Sequence, residues 1–430
     1  MAEAEQLEKL VRRVRNLPPE AAAREARAFF DALPSEAGIA LADGRPELVG
    51  SLDGAPAALR YRANHLRLLA ARDRLRAAID AGTATDRERR RLQTVDELLT
   101  PVSGIDVDAS GNVVKVQRPR QFLVVEPEGQ GRAVEVLGDL DRARNIAILV
   151  PGMGNNLETL RDQVDRTDLI RREAGPGTAS VLWLDYDSPQ GVRDAMSSVP
   201  AQAAGPGLRR FTAGLDTETL PTAKVTLIGH SYGSHVVGQG LINGVRVDRV
   251  VLTGSPGVAK SVNGAAELVP SQTRLFVERA PGDFVSYTEW HGPDPATYPD
   301  ATRMATNEPA GGGITVQGHN EYYRPNSESL RNVGRVVRGD LAHITTTDTS
   351  RSAETKLAPG LSWGEPLHSA VGAAAKVFDG IAALRKATPD RAAASTPMPQ
   401  QGALEQGTRP AAHPARIAAA HPRRPEGPQR

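Results

Sequence analysis

The chain has 430 residues, and its 52 Lys and Arg against 51 Asp and Glu leave a formal net charge of +1 at pH 7. This balance argues against a protein that binds nucleic acid mainly through phosphate contacts, and 4% aromatic residues are too few for a base-stacking surface. The lack of cysteine excludes a disulfide scaffold, a thiolate metal site and a cysteine nucleophile. The length allows two or three domains, or one large domain with extensions.

The first region, residues 1–118, is predicted to be helical. Apolar residues between Leu7 and Leu17 recur at the helical period, and a longer helix is expected from Pro56 to Ala81. The first twenty residues lack the apolar segment of a signal peptide, and no uncharged apolar run approaches the length of a membrane span. We therefore expect a cytoplasmic protein, with no catalytic constellation in this region.

The second region, residues 119–341, alternates short apolar runs with helical stretches. The runs are 121–126, 132–138, 145–152, 180–186, 224–229, 247–254, 273–278 and 314–317, and the helices are predicted at 156–174, 189–215, 232–244 and 327–338. The six later runs are almost continuously apolar, as in strands buried on both faces of a parallel sheet, whereas the first two are close enough to form an antiparallel edge pair. The pattern predicts an α/β fold, a mostly parallel sheet of about eight strands with helices on both faces.

The third region, residues 342–430, is predicted to be a linker and tail. One amphipathic helix is expected at 365–388. Residues 391–430 contain seven Pro, ten Ala and six Arg with few large apolar residues, and they are expected to be disordered. The tail carries a charge of +4, which leaves two interpretations open. The tail either contacts an acidic partner or is simply solvated.

The chemistry is predicted to lie in the segment VTLIGHSYGS. Residues Gly229–Gly233 fit the pattern G-x-S-x-G, and they follow a predicted strand and open a predicted helix, as a nucleophile elbow requires. The elbow makes Ser231 the candidate nucleophile, since the flanking glycines Gly229 and Gly233 permit a tight turn. The amide of Tyr232, at the helix N-terminus, is then a candidate oxyanion donor. The alternative is a glycine-rich turn with an ordinary capping serine.

A serine nucleophile needs an acid and a base, which in this type of fold follow in the order Ser, Asp or Glu, His. Asp283 lies in the loop after the run 273–278, and His319 lies two residues after the run 314–317. Both loops are expected at the carboxyl edge of the sheet, where open α/β sheets bind ligands. The rival histidines are His230, His235 and His291, and the rival carboxylates are Asp185, Asp187, Glu278 and Asp294.

The second oxyanion donor is expected in the glycine-rich loop 151–156 after the third run. Met153 is the candidate, with Gly154 as the alternative, although the same residues fit a helix N-cap. The loop contains no G-x-G-x-x-G, which argues against dinucleotide binding. No metal cluster is apparent, and no cofactor is expected.

The loop 287–313 lies between the predicted acid and base. It is long enough to act as a lid, and its Tyr287, Trp290, Tyr298 and Met304 are expected to supply an acyl pocket.

Several segments together resemble a family of α/β-hydrolase domains of unknown function that is common in high-GC bacteria. They are GHSYGS, PGMGNN, WLDYDSPQ, VDRVVLTGSPG, HGPDP and GHNEYYRPNSESLRN, and LDGAPAALRYRANHLRLLAARDRL resembles the helical region of that family. The resemblance covers roughly residues 50–341. It implies a Ser–Asp–His hydrolase fold, which matches Ser231, Asp283 and His319 here, but it implies no substrate. Family members usually carry an aromatic-Gly motif after HGPDP, where this chain has Tyr298-Pro299-Asp300.

These observations predict a serine hydrolase that acts on a small-molecule ester or thioester through an acyl-enzyme. Two alternatives stay open. One is a non-catalytic, hydrolase-like protein that mediates assembly through its helical N-terminus and basic tail. The other is an acyltransferase that uses the same three side chains with an acceptor other than water. No nucleic-acid partner is expected.

Overall fold

The computed structural model describes residues 2–107, 113–308 and 313–357. The helices are α1 Ala2–Val14, α2 Pro19–Asp31, α3 Ser35–Gly44, α4 Pro46–Gly50, α5 Ala57–Asp80, α6 Asp86–Leu99, α7 Leu160–Ala174, α8 Val192–Ala195, α9 Val199–Leu215, α10 Tyr232–Ile242, α11 Ala265–Leu268, α12 Phe284–Tyr287, α13 Glu328–Arg338 and α14 Arg351–Leu357. The predicted helix at 365–388 and the predicted disordered tail at 391–430 lie outside the described residues.

In the part of the chain that the structure describes, ten strands form two sheets. The strands are β1 Val102–Val107, β2 Val113–Arg118, β3 Gln121–Glu126, β4 Arg132–Leu137, β5 Asn145–Val150, β6 Thr178–Leu184, β7 Lys224–His230, β8 Arg249–Thr253, β9 Arg274–Glu278 and β10 Thr302–Met304. The larger sheet has eight strands in the order β10-β9-β8-β7-β5-β6-β4-β3, and the pairs from β6 to β10 are all parallel. The predicted α/β fold is confirmed, and so is the antiparallel edge pair, which is β3 with β4.

The alternation of side chains along the central strand β5 shows why the sheet is covered on both faces. Ile146 and Ile148 join one apolar cluster, which contains residues of α9 and α10. Ala147 and Leu149 join another, which contains residues of α7 and α13. Because successive side chains of a strand point to opposite faces, a run that is apolar throughout requires helices on both sides.

The N-terminal helices pack against the edge of this sheet. From α5, the Nε of Arg60 donates to the carbonyl of Leu123 at 3.0 Å, and the Nδ2 of Asn64 donates to that of Phe122 at 2.9 Å. Both side chains are buried, so these hydrogen bonds attach α5 to β3. Among the helices that the structure describes, none is long and apolar enough to cross a membrane.

The structure differs from the sequence expectations at three places. Residues 102–107 and 113–118, placed in the helical region, form an antiparallel pair of strands instead. The predicted strand at 314–317 is wrong, since the β pairing of this segment with other described residues is limited to one isolated bridge, from Ile314 to Ser327. The eighth strand is β10, which lies within the loop predicted to be a lid. The predicted domain boundaries stay predictions, although hydrogen bonds of Glu354 attach residues beyond 341 to the sheet domain.

Candidate active site

Ser231 lies in the sharp turn between β7 and α10. Its backbone has φ 57° and ψ −130°, a conformation that costs a non-glycine residue roughly 1–3 kcal/mol. A Cβ atom at Gly233 would lie 2.1 Å from the carbonyl oxygen of Val150, and one at Gly229 would lie 2.7 Å from the Cα of Ser234. Side chains are therefore excluded at both flanking positions, for the steric reason that the motif predicted.

The three side chains predicted from the sequence are brought together at the carboxyl edge of the sheet. The Nε2 of His319 lies 2.7 Å from the Oγ of Ser231, and its Nδ1 lies 2.9 Å from the Oδ1 of Asp283. The loops that carry the acid and the base are joined directly, because the N–H of Gly318 donates to the carbonyl of Pro281 at 2.8 Å. With Asp283 ionised, Nδ1 carries the proton and Nε2 is free to accept the serine proton.

Asp283 is fully buried and is surrounded by hydrogen-bond donors. Its Oδ1 accepts from the backbone N–H groups of Val285 and Ser286, while its Oδ2 accepts from the hydroxyls of Ser286 at 3.1 Å and Tyr322 at 2.5 Å. Burial raises the pKa of Asp283, but the charge of His319 and the hydrogen bonds from His319 and Tyr322 outweigh burial and lower the pKa to about 2. The carboxylate is therefore ionised throughout the neutral range.

Two residues that hold this arrangement were not found from the sequence. Tyr322 donates to Asp283 and accepts from the N–H of Ala280 at 2.9 Å. His230 donates from Nε2 to the carbonyl of His319 at 2.9 Å, and its ring stacks on the ring of His319 with centroids 5.0 Å apart. Burial and the charge of His319 lower the pKa of His230 to about 3, so it stays neutral. Both roles depend on contacts between distant loops, for which the sequence has no local signal.

The rival histidines make other contacts. The Nε2 of His291 donates to the carbonyl of Ala195 at 2.8 Å, and its ring stacks on that of His235 at 4.1 Å. The Nδ1 of His235 donates to the carbonyl of Val258 at 2.6 Å. Both rings are buried, and these hydrogen bonds go to backbone carbonyl groups and not to Ser231.

The rival carboxylates are also engaged elsewhere. Glu278 accepts from the hydroxyl of Ser329 at 2.6 Å, and burial raises its pKa well above the ordinary value. Asp294 forms a buried ion pair with Arg279 at 2.5 Å. Among the described residues, Asp283 is the acid that hydrogen-bonds to His319.

The loop 151–156 packs directly against the candidate nucleophile. A Cβ atom at Gly152 would lie 3.1 Å from the Oγ of Ser231. The N–H of Gly154 donates to the carbonyl of Pro189 at 2.8 Å, so it is already engaged. Of the two candidates that the sequence left open, this geometry favours the amide of Met153.

Tyr232 occupies the first position of α10, where a backbone N–H has no acceptor within the helix. Its side chain is buried and makes separate, structural hydrogen bonds. The hydroxyl donates to the carbonyl of Ser197 at 2.7 Å and accepts from the N–H of Ala201 at 3.2 Å. These two hydrogen bonds attach the segment between α8 and α9, and the start of α9, to the turn that holds Ser231.

The prediction that four side chains of loop 287–313 supply an acyl pocket is wrong for two of them. Tyr298 is buried and donates to the carbonyl of Val262 at 3.0 Å, and Met304 is buried within β10. Both belong to the apolar core. Tyr287 donates to Glu354 at 2.9 Å, which ties this part of the loop to α14.

A cleft of about 810 Å³ lies away from these residues, between strands β1 and β2, the edge strands and α7. Several of its charged side chains pair with one another, as Arg120 does with Glu135 at 2.5 Å and Arg171 with Asp168 at 2.7 Å. Within the described ranges, no group of three or more His, Asp or Glu is arranged to hold a metal ion.

Comparison with known proteins identifies the family. A family model described as alpha/beta hydrolase matches residues 126–292. The chain is 30% identical over 188 residues to an uncharacterized protein of Mycobacterium bovis, Mb0988c, covering 40% of this chain and 70% of that protein. It is also 26% identical over 379 residues to Rv2079, an uncharacterized protein of Mycobacterium tuberculosis. The chain belongs to the alpha/beta hydrolase family.

The match with Rv2079 covers 75% of this chain and 56% of that relative, so the chain spans about half the length of the first curated relatives it matches. Among solved structures, the chain is similar to esterase PE8, with 16% identity, a TM-score of 0.34, and coverage of 47% of this chain and 96% of the esterase. It is similar to an esterase domain from Rhodothermus marinus, with 13% identity, a TM-score of 0.29, and coverage of 57% and 99%. Nothing about this chain's activity follows from similarity at this level.

Proposed function

We propose that the chain is a serine hydrolase that cleaves an ester or thioester, with Ser231 as nucleophile, His319 as general base and Asp283 as the acid that orients the base. The observation that carries the proposal is the continuous series of hydrogen bonds from the Oγ of Ser231 through the ring of His319 to the buried carboxylate, at 2.7 and 2.9 Å. A nucleophile within reach of a base, which is itself oriented by a third group, is the signature of an activated serine.

The reaction follows from these positions. Ser231 Oγ attacks the carbonyl carbon while His319 Nε2 takes the hydroxyl proton, and the resulting oxyanion accepts hydrogen bonds from the N–H groups of Met153 and Tyr232. His319 then returns the proton to the departing alkoxide or thiolate, leaving an acyl-enzyme on Ser231. A water molecule, deprotonated by His319, attacks the acyl carbon, and the carboxylic acid is released as Ser231 recovers its proton.

The test is labelling with a fluorophosphonate probe together with turnover of p-nitrophenyl acetate. We expect the wild-type chain to be labelled and active, and Ser231→Ala to lose both, because the probe and the acyl group attach to the same oxygen. The matched control is Ser234→Ala, which removes a buried hydroxyl that donates to the carbonyl of Gly229 at 3.1 Å in the same turn. It should keep its labelling and stay within about threefold of wild-type turnover.

Two outcomes contradict the proposal. The first is a wild-type chain that neither reacts with the probe nor hydrolyses the ester, which would favour the non-catalytic alternative. The second is a Ser231→Ala variant with wild-type turnover, which would move the nucleophile to another residue.

A further inference from the structure

We infer that the acyl part of the substrate is an extended apolar chain that lies on a small surface formed by Met153, Val192 and Val199, here named the acyl surface. The inference rests on the proposed serine hydrolase function and gives its substrate class. In the described residues, seven large apolar side chains are exposed, and these three have exposed fractions of 39%, 51% and 67%. Met153 lies in the loop after β5, and Val192 and Val199 are the first residues of α8 and α9, the two helices that follow β6. The other four are scattered. Those four are Ile39, Val102, Leu220 and Ile242.

Hydrogen bonds hold the first part of the acyl surface next to the nucleophile. Met153 follows Gly152, the residue whose backbone packs against Ser231 Oγ. The loop that carries Met153 is bound to the loop after β6, because the N–H of Gly154 donates to the carbonyl of Pro189. That second loop leads directly into α8, whose first residue is Val192.

The other end of the acyl surface is fixed from the opposite side. The hydroxyl of Tyr232, the residue after the nucleophile, donates to the carbonyl of Ser197, two residues before Val199. His291 donates to the carbonyl of Ala195 at the end of α8. The segment that carries both valines is therefore attached to the elbow and to the loop after the acid.

The size of the acyl surface indicates what covers it. A stable protein interface buries about 800 Å² on each partner, which three side chains cannot supply. A chain of methylenes needs only a narrow apolar strip, and Met153, which follows the Gly152 that packs against Ser231, is the residue from which such a chain would extend. Each methylene buried there is expected to raise kcat/KM by up to about fourfold.

The experiment compares p-nitrophenyl acetate with p-nitrophenyl hexanoate, with rates normalised to the fraction of chain labelled by the fluorophosphonate. We expect a higher kcat/KM for the hexanoate in the wild-type chain. Val199→Asp and Val192→Asp should each lower the hexanoate-to-acetate ratio by about fivefold or more, because a charge on the strip disfavours the apolar chain. Both positions are exposed, so the fold should tolerate either change.

The control is Ile242→Asp, which changes an equally exposed residue at the far end of α10. It lies eleven positions after Ser231 in the chain, roughly 16 Å along the helix axis, so the hexanoate-to-acetate ratio of this variant should match the wild type. An unchanged ratio in both valine variants, or an equal fall in Ile242→Asp, overturns the acyl surface and leaves the hydrolase function standing. A wild-type chain without labelling or acetate turnover overturns the proposed function itself.

Discussion

Replacing Asp283 by Asn is expected to lower kcat about 100-fold with little change in KM. In a serine protease the same exchange lowered kcat by about 10⁴, because the amide favoured the wrong tautomer of the histidine. Here the Oδ1 that faces His319 also accepts the backbone N–H groups of Val285 and Ser286 at 3.1 and 3.4 Å. These fixed donors require an acceptor, whereas Oδ2 faces the hydroxyls of Ser286 and Tyr322, which can rotate and accept. The amide therefore keeps its oxygen toward His319, and the correct tautomer survives.

The size of the expected fall in kcat then depends on the lost negative charge. The surroundings of Asp283 lower its pKa from 3.8 to about 2, which corresponds to a preference for the carboxylate on the order of 2–3 kcal/mol. A loss of that size from a transition state that contains an imidazolium lowers the rate by about 10². The carboxylate is fully buried, so solvent screening does not reduce this figure.

Steady-state kinetics on p-nitrophenyl acetate at pH 7 measure the effect, with the exposed Asp187→Asn as control. A fall of 10⁴ or more would show that the amide turns its nitrogen to His319, and a fall below tenfold would show that Asp283 is not the acid.

The pH dependence of the free energy of unfolding tests the same carboxylate in a second way. Because the folded-state pKa is lowered, the contribution to stability is present above about pH 4 and is lost as pH falls toward 2. The difference between wild type and Asp283→Asn in urea unfolding should shrink over that interval.

Three further predictions follow from single contacts. Tyr322→Phe should lower kcat about tenfold at unchanged KM, because Asp283 loses a hydrogen-bond donor. In the matched control, Tyr323→Phe, the lost hydroxyl is one that contacts Thr253, so kcat should stay within about twofold of the wild type in the same assay. Ser231→Gly should raise the free energy of unfolding by about 1 kcal/mol in urea titration, since the positive φ is no longer strained, and Ser231→Ala should not. Glu354→Ala should lower that free energy by about 2 kcal/mol, because Arg303 loses its carboxylate partner while the buried Arg279 keeps Asp294. A loss below about 0.5 kcal/mol would show that α14 is detached in solution.

The sequence was most informative where burial on both faces makes a strand apolar throughout. Strands β5, β7 and β8 were predicted within one or two residues for that reason, and the helix α5 was predicted from Pro56 to Ala81 and runs from Ala57 to Asp80. Strand β10 has only three residues, of which Met304 alone is buried, so it has no pattern to detect. The segment 314–317 has a strand-like composition, but one isolated bridge is its only β pairing in the described residues.

The candidate site was predictable to the extent that chain order and strand ends determine it. Ser231, Asp283 and His319 each follow a buried run, and the expected order of acid and base left few alternatives. The packing of the predicted lid was not predictable, because Asp294 is bound by Arg279 and Tyr287 by Glu354 across more than ten residues of chain. A loop rich in aromatic residues looks the same in sequence whether its side chains line a pocket or fill the core.

The contacts that position the three groups are made by their own neighbours in the chain. His230, which precedes the nucleophile, donates to the carbonyl of His319, and Gly318, which precedes the base, donates to the loop of the acid. Tyr322, three residues after the base, donates to Asp283. The base loop is thus bound on one side to the elbow and on the other to the acid loop. A displacement of this loop therefore has to break contacts on both sides, which share no atoms, so the distances from His319 to Ser231 and to Asp283 are fixed independently of each other.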